Sequence, residues 1–61
     1  MRYFNYKSSQ GVETVDCIDR EYFDSYRDFL TEVNRLKSEY RTAGMDVYLS
    51  QRSTKDWRDN Q

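Results

Sequence analysis

The stretch Ser25–Gly44, SYRDFLTEVNRLKSEYRTAG, decides how the rest of the chain must be arranged. Within it Tyr26, Phe29, Leu30, Val33, Leu36, Tyr40 and Ala43 recur every three or four residues, the spacing that lines one stripe of an α-helix. The positions between them, among them Arg27, Asp28, Glu32, Arg35, Lys37, Ser38, Glu39 and Arg41, are polar. Ser25 followed by Asp28 resembles a capping box with Asp in place of the usual Glu. Gly44 stands where a helix-ending glycine belongs, and Arg41 suits the negative end of the helix dipole. Glu32–Arg35 and Arg35–Glu39 are spaced to pair on the solvent side. The pattern predicts a helix over about 25–43. Its start has two candidates, because Tyr22 and Phe23 keep the spacing and Asp19 is an alternative cap.

A helix with one apolar stripe needs an apolar surface to cover, and the flanking segments read as strands. Residues 2–7, RYFNYK, are rich in aromatics, with Phe4 and Tyr6 on one face and Tyr3 and Asn5 on the other. The segment SSQG follows, and its Gly11 can take the positive φ that short hairpin loops need. Residues 12–18 supply Val12, Thr14, Val15 and Ile18. Strict alternation puts either Val15 and Cys17, or Val12, Thr14 and Ile18, toward the core, and the pattern does not choose between them. Residues 46–52, DVYLSQR, set Val47 and Leu49 against Tyr48 and Ser50 as a third strand. The order is therefore ββαβ in one small α+β domain spanning 1–61, with a tail over 53–61. The simplest closure places the first strand in the centre, antiparallel to both neighbours. The outer strands are then parallel edges joined by a right-handed crossover. The helix covers one face of the three-stranded sheet, leaving the other solvated or buried by another chain.

Composition narrows the chemistry. With 61 residues and a single cysteine, Cys17, the chain has no internal disulfide to supplement a thin core. Without histidine it has no Cys/His cluster for zinc. Self-association is the remaining stabiliser of so small a scaffold, which predicts a homodimer. The absence of histidine also removes Ser–His and Cys–His nucleophile pairs. Cys17 lies between Asp16 and Asp19, whose charge disfavours a thiolate, so it reads as a core filler. Asp16 and Asp19 lack the spacing of a calcium loop, and Gly11 and Gly44 lie too far apart to cradle a phosphate. These readings predict a protein that is not an enzyme and holds no cofactor or metal.

The formal net charge is −1, which argues against a general polyanion binder. Acidic residues concentrate early, at Asp16, Asp19, Glu21, Asp24 and Asp28, and basic ones from Arg35 onward, an asymmetry suited to orienting a partner or a second copy. No apolar run approaches the length of a membrane helix, and the opening MRYFNYKSSQ turns polar at once, so a cytoplasmic protein is expected. Contact surfaces are better supplied. Tyr3 and Tyr48 fall opposite the core side of their strands. They form either a stacking platform for single-stranded bases, with Arg52 and Lys55 for phosphates, or a protein-binding surface. The near-neutral charge favours the protein surface. Trp57, between Lys55 and Arg58, is either an interface anchor or a cap over the end of the core. Tyr48, Arg52, Lys55, Trp57 and Arg58 are thus the predicted contact residues, and the acidic Asp16–Asp28 region is a second candidate face.

The segment EYRTAGMDVYLSQRSTKDW resembles the end of small proteins encoded by tailed bacteriophages, in which a helix stops at a glycine turn, a "VY-S-R" strand follows and a "TK-W"-like element closes the chain. The matching positions are Glu39, Tyr40, Arg41, Gly44, Val47, Tyr48, Ser50, Arg52, Thr54, Lys55 and Trp57, about the last third of the sequence. The resemblance implies a phage accessory protein acting in the host cytoplasm and names no target. It supplies no catalytic residue. Taken with the contact surfaces and the missing catalytic groups, it gives as the first reading a non-enzymatic binding protein that engages a host or defence protein, with inhibition as one outcome. The alternative is a small nucleic-acid-binding module using the same tyrosines and basic groups.

Overall fold

The computed structural model describes residues 1–54. Two strands, β1 (Arg2–Ser8) and β2 (Gly11–Ile18), form a hairpin and are followed by a 3-10 turn (Arg20–Tyr22). A 17-residue helix, α1 (Tyr26–Thr42), and a short strand, β3 (Val47–Ser50), complete the order. The sheet runs β2-β1-β3, with β1 antiparallel to both neighbours. This is the expected ββαβ architecture. β3 is shorter than the 46–52 anticipated, because Gln51 bends away from the sheet and the Arg52 amide donates to Ser50 Oγ at 3.1 Å.

The hairpin resolves the ambiguity of β2 by breaking its alternation. Arg2, Tyr3 and Phe4 pair with Ile18, Cys17 and Asp16, whereas Asn5, Tyr6 and Lys7 pair with Thr14, Glu13 and Val12. Val15 is therefore the extra residue of a β-bulge, and side chains before and after it are in opposite phase. Neither strictly alternating set holds. Ile18 is buried and Val15 packs against the core, while Thr14 is buried on the opposite face beside Asn5. Cys17 is half-buried opposite Tyr3, in register with the outer face, so it is not the core filler expected from sequence.

Both proposed helix starts turn out to be used, for different turns. Asp19 caps the 3-10 turn by accepting the Glu21 amide at 3.0 Å, and Ser25 caps α1 by accepting the Asp28 amide at 3.1 Å. At the other end Gly44 adopts φ 84°, which lets its amide bond Arg41 O and the Met45 amide bond Tyr40 O, both at 2.9 Å. This is a Schellman motif, and the hydrophobic pair that accompanies it, Tyr40 with Met45, joins the rim of the core. On the solvent side Arg35 grips Glu32 at 2.6 Å and Glu39 at 2.5 Å. The hydrogen bond to Arg35 holds the Glu32 carboxyl below its ordinary range.

The core consists of Phe4, Ile18, Phe29, Val33 and Val47, with Leu36, Tyr40, Leu49, Tyr6 and Phe23 packed around it. The apolar stripe of α1 is thus narrower than its sequence suggests. Tyr26 is 60% exposed, and Leu30 and Ala43 are also exposed. A three-stranded sheet accommodates the sector centred on Phe29, Val33, Leu36 and Tyr40, and Leu30 sits about 100° round the helix from Phe29. Tyr26 nevertheless stacks on Phe29, with centroids 6.0 Å apart, and the Arg20 guanidinium lies 5.8 Å from its ring. Phe23 meets Phe29 edge-on at 5.8 Å. These rings and Arg20, whose Nη1 donates to Phe23 O at 3.1 Å, close the end of the core where the chain enters the helix.

Candidate interaction surface

The centre of the sheet face away from α1 is covered by the chain itself, while its margin at Tyr48 stays exposed. Asn5 is 5% exposed and Thr14 6% exposed, although both belong to that face. Residues 51–54 cover them. The Asn5 carboxamide donates through Nδ2 to Arg52 O at 3.0 Å and accepts through Oδ1 from Thr14 Oγ1 at 2.6 Å. Thr14 Oγ1 in turn accepts the Thr54 amide at 2.8 Å. Because Asn5 is on the central strand and Thr14 opposite it on β2, these bonds trace a strap that leaves β3, crosses β1 and reaches β2. Every polar atom of the pair has a partner, which is what makes its burial tolerable.

The strap decides what the predicted contact residues do. Tyr48, opposite Asn5, is 44% exposed on the outer face and shares it with Tyr3 and Ser50. Arg52 is exposed while its own carbonyl is held by Asn5, so its side chain leaves a fixed backbone. Tyr3, Gln51, Arg52 and Ser53 line a shallow concavity beside them. The structure therefore brings Tyr3, Tyr48 and Arg52 to one side of the sheet. Lys55, Trp57 and Arg58 lie outside the described residues.

The acidic region is less coherent as a surface. Asp16 is turned toward the helix side, where its carboxylate accepts the Cys17 amide at 2.8 Å and the Tyr40 hydroxyl at 2.9 Å. Asp19 is occupied as the cap of the 3-10 turn. Only Glu21, Asp24 and Asp28 are exposed. Among the described residues no three Cys, Asp or Glu side chains converge in a way that could hold a metal ion.

Tyr40 ties α1 to the bulge, since its hydroxyl also lies 3.4 Å from Val15 O. Desolvation, then the bond and charge of Asp16, push its phenol up to about 12. A pKa raised in the folded state means that folding favours the protonated phenol. The resulting stabilisation is complete below the unfolded value near 10 and is lost as pH rises through about 12. Chemical denaturation across this range should show the decline, and Tyr40→Phe should remove that component while costing roughly 1 kcal/mol at neutral pH. An unchanged alkaline profile in the variant would dismiss the assignment.

The groups that sequence reasoning missed are Asn5 and Thr14. A signal was available: an asparagine in the middle of an aromatic strand is unusual, and a central-strand carboxamide has to be satisfied by something. The partner, a carbonyl 47 positions away, has no periodic trace in the sequence. No protein-family model, curated protein or solved structure matches the chain.

Proposed function

We propose that this is a non-catalytic, phage-encoded binding protein that engages and inhibits a host or defence protein through the surface formed by Tyr48 and Arg52. The observation that carries the reading is the strap. It fixes the backbone of Arg52 next to an exposed tyrosine on a rigid sheet, and a pre-ordered Tyr/Arg pair is the composition typical of interface hot spots. The resemblance of residues 39–57 to the ends of phage accessory proteins supports the source and the host setting. The lack of histidine supports a role without acid–base catalysis at neutral pH.

A nucleic-acid reading is favoured by one feature, the placement of Tyr3, Tyr48 and Arg52 on a common face. Against it, the strap fills the centre of that face over Asn5 and Thr14, where a stacked strand of bases would lie. Two measurements separate the readings. Immobilised protein should retain a specific host protein that is lost with Tyr48→Ala or Arg52→Glu and kept with Val12→Lys on the far edge strand. Anisotropy with labelled single-stranded oligonucleotides at low salt should show no binding. Oligonucleotide affinity that falls steeply with salt, together with capture indifferent to Tyr48 and Arg52, would reverse the choice.

A further inference from the structure

The two edges of this sheet are unequally protected. An unpaired strand edge is a template for another strand, and proteins that must avoid such pairing place charges, bulges or prolines there. β2 has two of these devices, the acidic Glu13 and Asp16 and the bulge at Val15. β3 has none: its sequence is VYLS, it is regular, and among the described residues it pairs only with β1.

The geometry points to this edge as the site where a second copy of the chain joins, antiparallel, to form a continuous six-stranded sheet. Three features are self-complementary. Centring the two-fold axis on Tyr48 sets Val47 opposite the partner copy's Leu49 on the helix side, an apolar pair at each end, and Tyr48 opposite its own copy on the outer side. β3 is preceded by exposed Asp46 and followed, after Gln51 bends off the sheet, by exposed Arg52 on the outer face, so antiparallel pairing sets an acidic and a basic group near each end of the seam. The helix layer contributes as well. Tyr26 borders a cleft with Leu49 and Ser50, which places that side of α1 over β3, and Leu30 lies one turn further along the same side. Leu30, left partly exposed because the three-stranded sheet is too narrow to cover it, is then the flank of an interface.

The strap begins at β3 but leads away from its open edge, reaching β2 by Thr54, so the described chain does not compete for the site. In the dimer the two Tyr48 and Arg52 sets become neighbours on one outer surface. Dimerisation stands apart from the target-binding proposal, because it is read on the purified protein alone.

Sedimentation equilibrium on the full chain tests it. The wild type should show a concentration-dependent dimer. Tyr48→Lys, which sets like charges face to face across the axis, and Leu30→Glu, on a different element, should each weaken it at least tenfold. Val12→Lys on β2 should leave it unchanged, and far-ultraviolet circular dichroism should verify that each variant is folded. The alternate amides of residues 47–50 that face the open edge should gain exchange protection as concentration rises. A strict monomer, a dimer indifferent to both β3-side variants, or edge protection independent of concentration (the mark of this chain's own tail occupying the edge) would each overturn the proposal.

Discussion

Phe4→Ala is expected to leave the chain unfolded at room temperature. Phe4 is fully buried, in the central strand, between Asp16 of β2 and Leu49 of β3 in the register, and it forms one core with Phe29 and Val33 of α1. Removing a buried phenylalanine ring typically costs about 3–5 kcal/mol, and the neighbours cannot collapse far into the space when both flanking strands are hydrogen-bonded to β1. At roughly 0.05–0.15 kcal/mol per residue a chain of this length has a stability on the order of 3–9 kcal/mol, and a core of five buried apolar side chains among the described residues puts it at the low end of that range. Circular dichroism melts and amide dispersion in two-dimensional NMR should therefore report loss of cooperative structure. A cooperative melt within a few degrees of the wild type would mean that the helix-side core is not what holds the fold.

Asn5→Ala should come next in severity, for a different reason. The truncation opens little space but strands two groups beneath the strap, the Arg52 carbonyl and the Thr14 hydroxyl proton. A buried group left without its partner costs about 1–3 kcal/mol, so two cost at most about 2–6 kcal/mol, reduced to whatever extent the strap lifts and lets water in. That relief separates this variant from Phe4→Ala. Asn5→Ala should melt at a lower temperature yet keep its native helix and sheet spectrum below the transition, with new exchange at residues 52–54. Stability equal to the wild type would show that the carboxamide is solvated in solution.

These two residues mark what the sequence could and could not reveal. The helix and its caps were legible because they are local: Ser25, Gly44 and the three-to-four spacing act within a few residues of one another. The strand order was legible because a hairpin followed by one helix leaves few ways to close a sheet of this size. Phe4 could be assigned to the core from its alternation with Tyr3 and Asn5. The phase of β2 could not, since period-two reasoning fails once Val15 is inserted as a bulge, and a bulge has no reliable sequence mark. The exposure of Tyr26 and Leu30 was hidden for a similar reason: the width of an apolar stripe says what a helix can bury, whereas the sheet beneath it sets what it does bury. The strap was least visible. Gln51–Thr54 is a polar run without periodicity, and its meaning lies in hydrogen bonds to residues 40 and 47 positions earlier. As for the candidate surface, Tyr48 and Arg52 were identifiable by type, but the clasp that orders them was not.

The chain closes the centre of its own outer face and holds Arg52 there. The Thr54 amide, bonded to Thr14 Oγ1 at 2.8 Å, is the most direct witness. Native-state hydrogen exchange should find it protected in the wild-type chain, and Thr14→Val, which keeps the shape and removes the acceptor, should return it to the rate of a free amide while β1 stays protected. A Thr54 amide that already exchanges freely in the wild type would contradict the strap and remove the physical basis for the Tyr48–Arg52 surface.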